Sequence, residues 1–220
     1  MKKRRFIFGT YDTAAKLWTL TGWTFPEPDY QAKFLEVPGG MPLDVSTILT
    51  DGEPSYGSRP LTVQLESSEG TRMEREDRIE AMVNALDGRR VPIVFPDHPQ
   101  RYAMGRVQVK KEYNDPAHCA VTVSAICDPW RYSKAERMRT LTAATAKQVA
   151  VLTNDGRRVA IPELTVTGDN ASVLLEFDTV SVAIGTGTTI LPDLALPQGD
   201  THITYSGTGT LQIKYREAVL

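Results

Sequence analysis

Cys119 and Cys127 are the only thiols in a chain of 220 residues, and a thiolate can act as nucleophile, metal ligand or half of a disulfide. Val121, Val123 and Ala125 stand between them at alternate positions. If the run is a strand, all five side chains share one face, and that face is apolar. At about 3.3 Å per residue the two cysteines lie roughly 26 Å apart, beyond disulfide reach. Burial among valines also disfavours the thiolate, so neither is expected to be a nucleophile. Pro129, which donates no ladder hydrogen bond, is expected to stop this strand at Cys127. Trp130 and Tyr132 are then suited to covering the open end of a barrel or sandwich.

The other chemistry-bearing residues are scattered. His98, His118 and His202 have no Cys or His at metal-ligand spacing, so no metal site is expected. Glu66 with Glu69, or Asp44 with Asp51, could pair as acid and base in glycoside hydrolysis, but such carboxylates are common on solvated strands and turns. The chain has no Gly-x-Ser-x-Gly elbow, phosphate-binding glycine loop or His-Glu-x-x-His. Gly185-Thr186-Gly187 and Gly207-Thr208-Gly209 read as turns between strands rather than a nucleotide fingerprint, since no helix follows either. These residues point to a protein that is not an enzyme and takes no cofactor.

Composition agrees. A net charge of −2, a sequence pI near 6.0 and 41% apolar residues describe an ordinary globular chain without the basic footprint of a nucleic-acid binder. The run Lys2-Lys3-Arg4-Arg5 precedes only Phe6-Ile7-Phe8, too short for a secretory signal. The longest uncharged stretch, Thr179 to Pro192, is too short and too rich in glycine for a membrane span. A soluble chain made in the cytoplasm is expected, with no membrane partner.

The elements that must hold these residues are mostly strands. Leu61, Val63 and Leu65 alternate with polar neighbours over Arg59 to Glu66. Arg89 to Phe95 alternates too, and Pro92 within it predicts an edge strand. Arg101 to Tyr113 and Ala117 to Cys127 read as a hairpin around Asn114-Asp115-Pro116. One helix interrupts them: Ile79, Met82, Val83 and Leu86 recur at helical spacing, Thr71 with Glu74 fits a capping box, and Gly88 fits the C-terminal end. Residues 133–145 read as a linker, partly helical around Lys134 to Arg139. Beyond it, short strands are predicted at Gln148 to Leu152, Arg158 to Thr167, Ser172 to Phe177, Val180 to Ile184, His202 to Tyr205 and Leu211 to Tyr215. Asn154-Asp155-Gly156 is a hairpin-turn signal.

Taken in order, several stretches resemble the distal tail proteins of long-tailed bacteriophages and prophages. They are Arg5-Phe6-Ile7-Phe8-Gly9-Thr10-Tyr11-Asp12-Thr13, Leu20-Thr21-Gly22-Trp23, Val37-Pro38-Gly39-Gly40, Leu43-Asp44-Val45-Ser46 and Tyr56-Gly57-Ser58-Arg59. Leu86-Asp87-Gly88-Arg89, Asp97-His98-Pro99, Tyr102-Ala103-Met104-Gly105-Arg106 and Cys127-Asp128-Pro129-Trp130-Arg131-Tyr132 continue the series. The resemblance is densest over residues 4–132. The second half is similar, more loosely, to the family's galectin-like C-terminal β-sandwich, through Leu196-Pro197-Gln198-Gly199-Asp200 and Gly207 to Arg216.

The resemblance implies a mostly β chain. An N-terminal barrel or sandwich-like domain with one amphipathic helix (1–132) forms a ring, followed by the linker (133–145) and a small galectin-like sandwich (146–220). It implies a structural component of the virion tail tip, a homohexameric ring between the tail tube protein and a tail-fibre or receptor-binding protein. The alternative reading is a carbohydrate-binding sandwich for host-surface glycans, for which Phe177, Tyr205 and Tyr215 are the available aromatics of the second half. Within the long connection Pro38 to Pro60, the apolar residues Leu43, Val45, Ile48 and Leu49 are expected at a subunit interface, with Asp44 and Arg59 on its polar rim.

Overall fold

Alternation of small runs of valine, leucine and isoleucine with polar residues builds two large sheets, beside a two-stranded one. In the computed structural model, residues 4–46, 54–178 and 180–220 are described. The chain divides into two compact units, 1–131 together with Leu220, and 132–219.

The first unit contains β1 (Ile7–Phe8), β2 (Tyr11–Asp12), β3 (Thr19–Thr24), β4 (Phe34–Leu35), β5 (Leu43–Asp44) and β6 (Arg59–Ser67). They are followed by α1 (Arg72–Leu86), β7 (Arg90–Val94), β8 (Arg101–Asn114) and β9 (Cys119–Ser133). The main sheet runs in the order β2-β1-β7-β8-β9-β6-β3. Leu61, Val63 and Leu65 pair with Ala125, Val123 and Val121. All six are buried, as period-2 alternation requires of a sheet with one face on the core. Phe6, Phe8 and Trp18 complete that core, and the Trp18 indole N–H donates to the Tyr11 hydroxyl at 3.0 Å.

α1 closes the core by burying Ile79, Met82 and Leu86. Its start is held as the sequence predicts: the Glu74 N–H donates to Thr71 Oγ1, and the Glu74 carboxylate accepts from the Thr71 N–H. At its other end Gly88 has φ +71°, and its N–H donates to the Val107 carbonyl of β8 rather than back into the helix.

Two expectations in this unit are corrected. β7 is not an edge strand, because β1 and β8 flank it. Pro92 is tolerated because β1 pairs only with Ile93 and Val94. The Pro92 carbonyl accepts from the Gly9 N–H, so its nitrogen faces the turn after β1 and costs no bond to β8. Nor does β9 stop at Cys127; it continues to Ser133. The ladder with β6 ends at Arg59, opposite Cys127, so Pro129 falls past that ladder and deprives it of nothing.

The second unit contains β10 (Arg137–Thr142), β11 (Gln148–Asn154), β12 (Glu163–Phe177), β13 (Val180–Gly185), β14 (Gly187–Ile190) and β15 (Gly199–Tyr215). The segment read as a linker therefore carries a strand, β10, paired with β15 from Arg137↔Tyr215 to Thr142↔Thr210. Its only buried apolar residue is Leu141; a single inward residue gives no alternation to read.

The separate strands expected on either side of the glycines are single long ones. β12 and β15 pair along both halves, with a register break between Thr167 and Ser172. There Gly168, Asn170, Gly207 and Gly209 take positive φ. Leu164, Val166, Val173, Leu175, Ile203, Leu211 and Ile213, from both halves of both strands, share one core. The glycines are bends inside strands, not turns between them. Asn154-Asp155-Gly156 likewise makes no hairpin, since β11 pairs with β15. Asn154 is buried, accepting from the Gly156 N–H at 2.9 Å and donating to the Leu196 carbonyl at 2.8 Å.

Candidate functional site: an apolar hairpin arm

Between β3 and β6 the chain leaves the main sheet and forms a hairpin of its own. Its root is clamped by backbone: the Gln31 N–H donates to the Ser55 carbonyl at 2.8 Å and the Gly57 N–H to the Asp29 carbonyl at 2.9 Å. Tyr30 and Tyr56 pair there edge to face, and Tyr56 meets Trp130 in the same way. Farther out β4 pairs with β5, Phe34 opposite Asp44 and Leu35 opposite Leu43. Val37-Pro38-Gly39-Gly40 makes the turn, with Gly39 at φ +75° and the Gly40 N–H donating to the Val37 carbonyl.

The arm is apolar and bare. Phe34 is 62% exposed, Leu35 56%, Leu43 54% and Met41 88%. Leaving such side chains in water forgoes about 25 cal/mol for each Å² they could bury. Large apolar side chains left exposed together on one hairpin are the kind of surface that marks an interaction site.

Of the interface residues read from the sequence, Leu43, Asp44 and Val45 lie on this arm. Asp44 accepts from the Ser46 hydroxyl and the Ser46 N–H, which hold its carboxyl below the usual carboxylate range. Ile48 and Leu49 lie outside the described residues. Arg59 is not on a rim; it is 1% exposed. Its guanidinium donates to the Pro26 carbonyl at 2.7 Å, stacks 3.7 Å from the Phe25 ring and lies 3.6 Å from the Glu27 carboxylate. It anchors the arm's root instead, because these carbonyl and ring partners converge where the chain leaves the sheet. Phe34, Leu35 and Met41 are the functional candidates missed from the sequence. The signal was present in Phe34-Leu35-Glu36-Val37-Pro38-Gly39-Gly40, an apolar run ending in a turn.

The two thiols weighed for chemistry sit in the core, and Asp51, weighed as a partner of Asp44, lies outside the described residues. Both cysteines are free and buried, and desolvation raises both thiols, Cys127 to about 12. Among the described residues no three Cys, His, Asp or Glu side chains gather as a metal site. No helix among them is long and apolar enough to cross a membrane. Phe177, Tyr205 and Tyr215, the aromatics considered for glycan binding, are buried in the second core.

No protein-family model and no curated protein sequence matches this chain. Among solved structures, the crystal structure of the Dit protein (gp 19.1) of phage SPP1 aligns over 100% of both chains with a TM-score of 0.70 and 19% sequence identity. The fold is that of Dit. That protein is described as a paradigm of the hub adsorption apparatus in phages infecting Gram-positive hosts. Both units, mostly β among the described residues with one helix in the first, fall within that alignment.

Proposed function

We propose that this chain is a structural component of a phage tail tip. It assembles into a ring joining the tail tube to the receptor-binding apparatus of the virion. The reading rests on the Dit fold along the whole length, and on one observation of this chain, the apolar arm that its own unit leaves uncovered. A closed ring uses heterologous contacts, so each subunit needs one patch that gives and a different patch that receives. The arm is the giving patch. Residues 1–131 form the ring, as a homohexamer, and residues 132–219 form a separate sandwich domain that includes β10.

The test is light scattering after size exclusion, with negative-stain imaging of the same fractions. Rings in the parent protein, lost in a Leu35→Asp, Leu43→Asp double variant that keeps the parent's melting temperature, are the expected result. A parent that stays monomeric at every concentration rejects the ring.

A further inference from the structure

We infer that the arm of one subunit seats in a groove on the main sheet of a second copy, where Asp87, Gly88, Arg106, Gln108, Ser124 and Ile126 are among the lining residues; this rests on the ring reading above. The groove measures about 380 Å³. In β9, Ala125 and Cys127 face the core, so Ile126 between them faces away, and it is 62% exposed. Its partner across the ladder is Pro60, also exposed. Ile126 is thus the most exposed large apolar side chain among the described residues of the main sheet, on a face where polar residues are the rule.

Arm and groove match in chemistry. The arm brings Phe34, Leu35, Met41 and Leu43, together with the carboxylates of Glu36 and Asp44 against the single cation of Lys33. The groove offers the Ile126 ridge and, at its edge, the exposed Arg106, which spends one donor on the Gly88 carbonyl at 2.7 Å. Asp87, the one carboxylate of the lining, is engaged by the sheet, accepting from the Val109 N–H at 2.9 Å. A hairpin with exposed apolar side chains and a carboxylate excess therefore meets a groove with an apolar ridge at Ile126 and a cation at its edge, the pairing that steers and orients association. Both surfaces are bare in the same single chain, so the arm does not fill its own groove, and a second copy is the occupant that closes a ring.

The experiment uses the full chain carrying Met41→Cys and Ile126→Cys, joined by a bis-maleimide with a short flexible spacer. The native thiols are buried and protonated, which keeps them out of the reaction. The expected product is a covalent ladder from dimer to hexamer, with each single variant stopping at or below the dimer. Rings visible by negative stain without that ladder overturn the groove while leaving the ring standing. A cross-link confined within one chain overturns it too. In a separate variant, Ile126→Asp should abolish rings with the melting temperature unchanged; rings that persist reject the groove. A parent that forms no ring at any concentration removes the ring reading and the groove together.

Discussion

Arg75, on the first turn of α1, donates to the carbonyl of Asp115 at 2.8 Å across forty positions of chain. The same guanidinium reaches the carbonyls of Gly70 at 2.6 Å and Pro116 at 3.0 Å, and the residue is 1% exposed. A planar fork of five donors suits three converging carbonyls, and their dipoles stand in for a carboxylate. The bond ties the helix start to the turn between β8 and β9. Arg75→Met strands these carbonyls and should lower unfolding free energy by about 3 kcal/mol. Arg75→Lys, a point charge without the fork, should recover only part of it. A urea midpoint shift within error for the methionine variant would show that water replaces the guanidinium.

The capping box gives a pH-dependent prediction. The Thr71 N–H and hydroxyl hold the Glu74 carboxyl below its ordinary value. A carboxyl depressed in the folded state stabilises it above the unfolded pKa, near 4.3. That contribution disappears as pH falls through the lower folded value. Glu74→Gln should therefore flatten the loss of stability below about pH 4.3, and Thr71→Ala should cost about 0.5–2 kcal/mol at neutral pH. Parallel acid limbs for parent and Glu74→Gln would rule out the coupling.

Thiol reactivity should report the core. Cys127 Sγ packs against Gly105, where an added methyl would stand 2.7 Å from the sulfur. Desolvation holds the thiol protonated to about pH 12. Native protein should show no thiol reacting with a disulfide reagent at pH 8, and unfolded protein two. A fast-reacting native thiol would mean that the β6–β9 ladder opens.

Glycine substitutions in the second unit should divide sharply. Gly207 has φ +132°, and a Cβ there would overlap the Ser172 carbonyl. Gly209 has φ +95°, with the Thr167 carbonyl oxygen 2.6 Å from where its Cβ would be. Gly207→Ala should cost about 4 kcal/mol or more, combining strain with a backbone clash. Gly185→Ala, facing open space, should change stability by less than about 0.5 kcal/mol. Thermal melts followed by circular dichroism decide it; equal melting temperatures for the two variants would refute the close crossing.

Much of this was legible because it is local. Leu61 to Leu65 and Cys119 to Cys127 alternate at the strand period, and Thr71 to Leu86 carries its own cap and apolar stripe. What was hidden depends on partners far along the chain. Arg75 sits among arginines and glutamates that look uniformly solvated, and only the distant turn at Asp115 makes it a core residue. The glycines at 207 and 209 look like a turn, and only the backbone at 167–172 shows that they let two strands cross closely. Arg59, read as a rim residue, is buried for the same reason, through Phe25, Pro26 and Pro129. The arm lies between these cases, its turn visible in Pro38-Gly39-Gly40 and its lack of cover visible only in space.

The register of β15 has a consequence for how the protein is made. β10 and β11 both pair with β15, near the end of the chain, and β12 pairs with it along both halves. On the ribosome, β12 can fold onto β13 and β14 as soon as they emerge. β10 and β11 must wait with open edges until residues 199–215 have been translated. Strands held open in this way are slow to pair and prone to aggregate. The exposed arginines of β10, Arg137 and Arg139, are the kind of charge that guards an edge through such a delay.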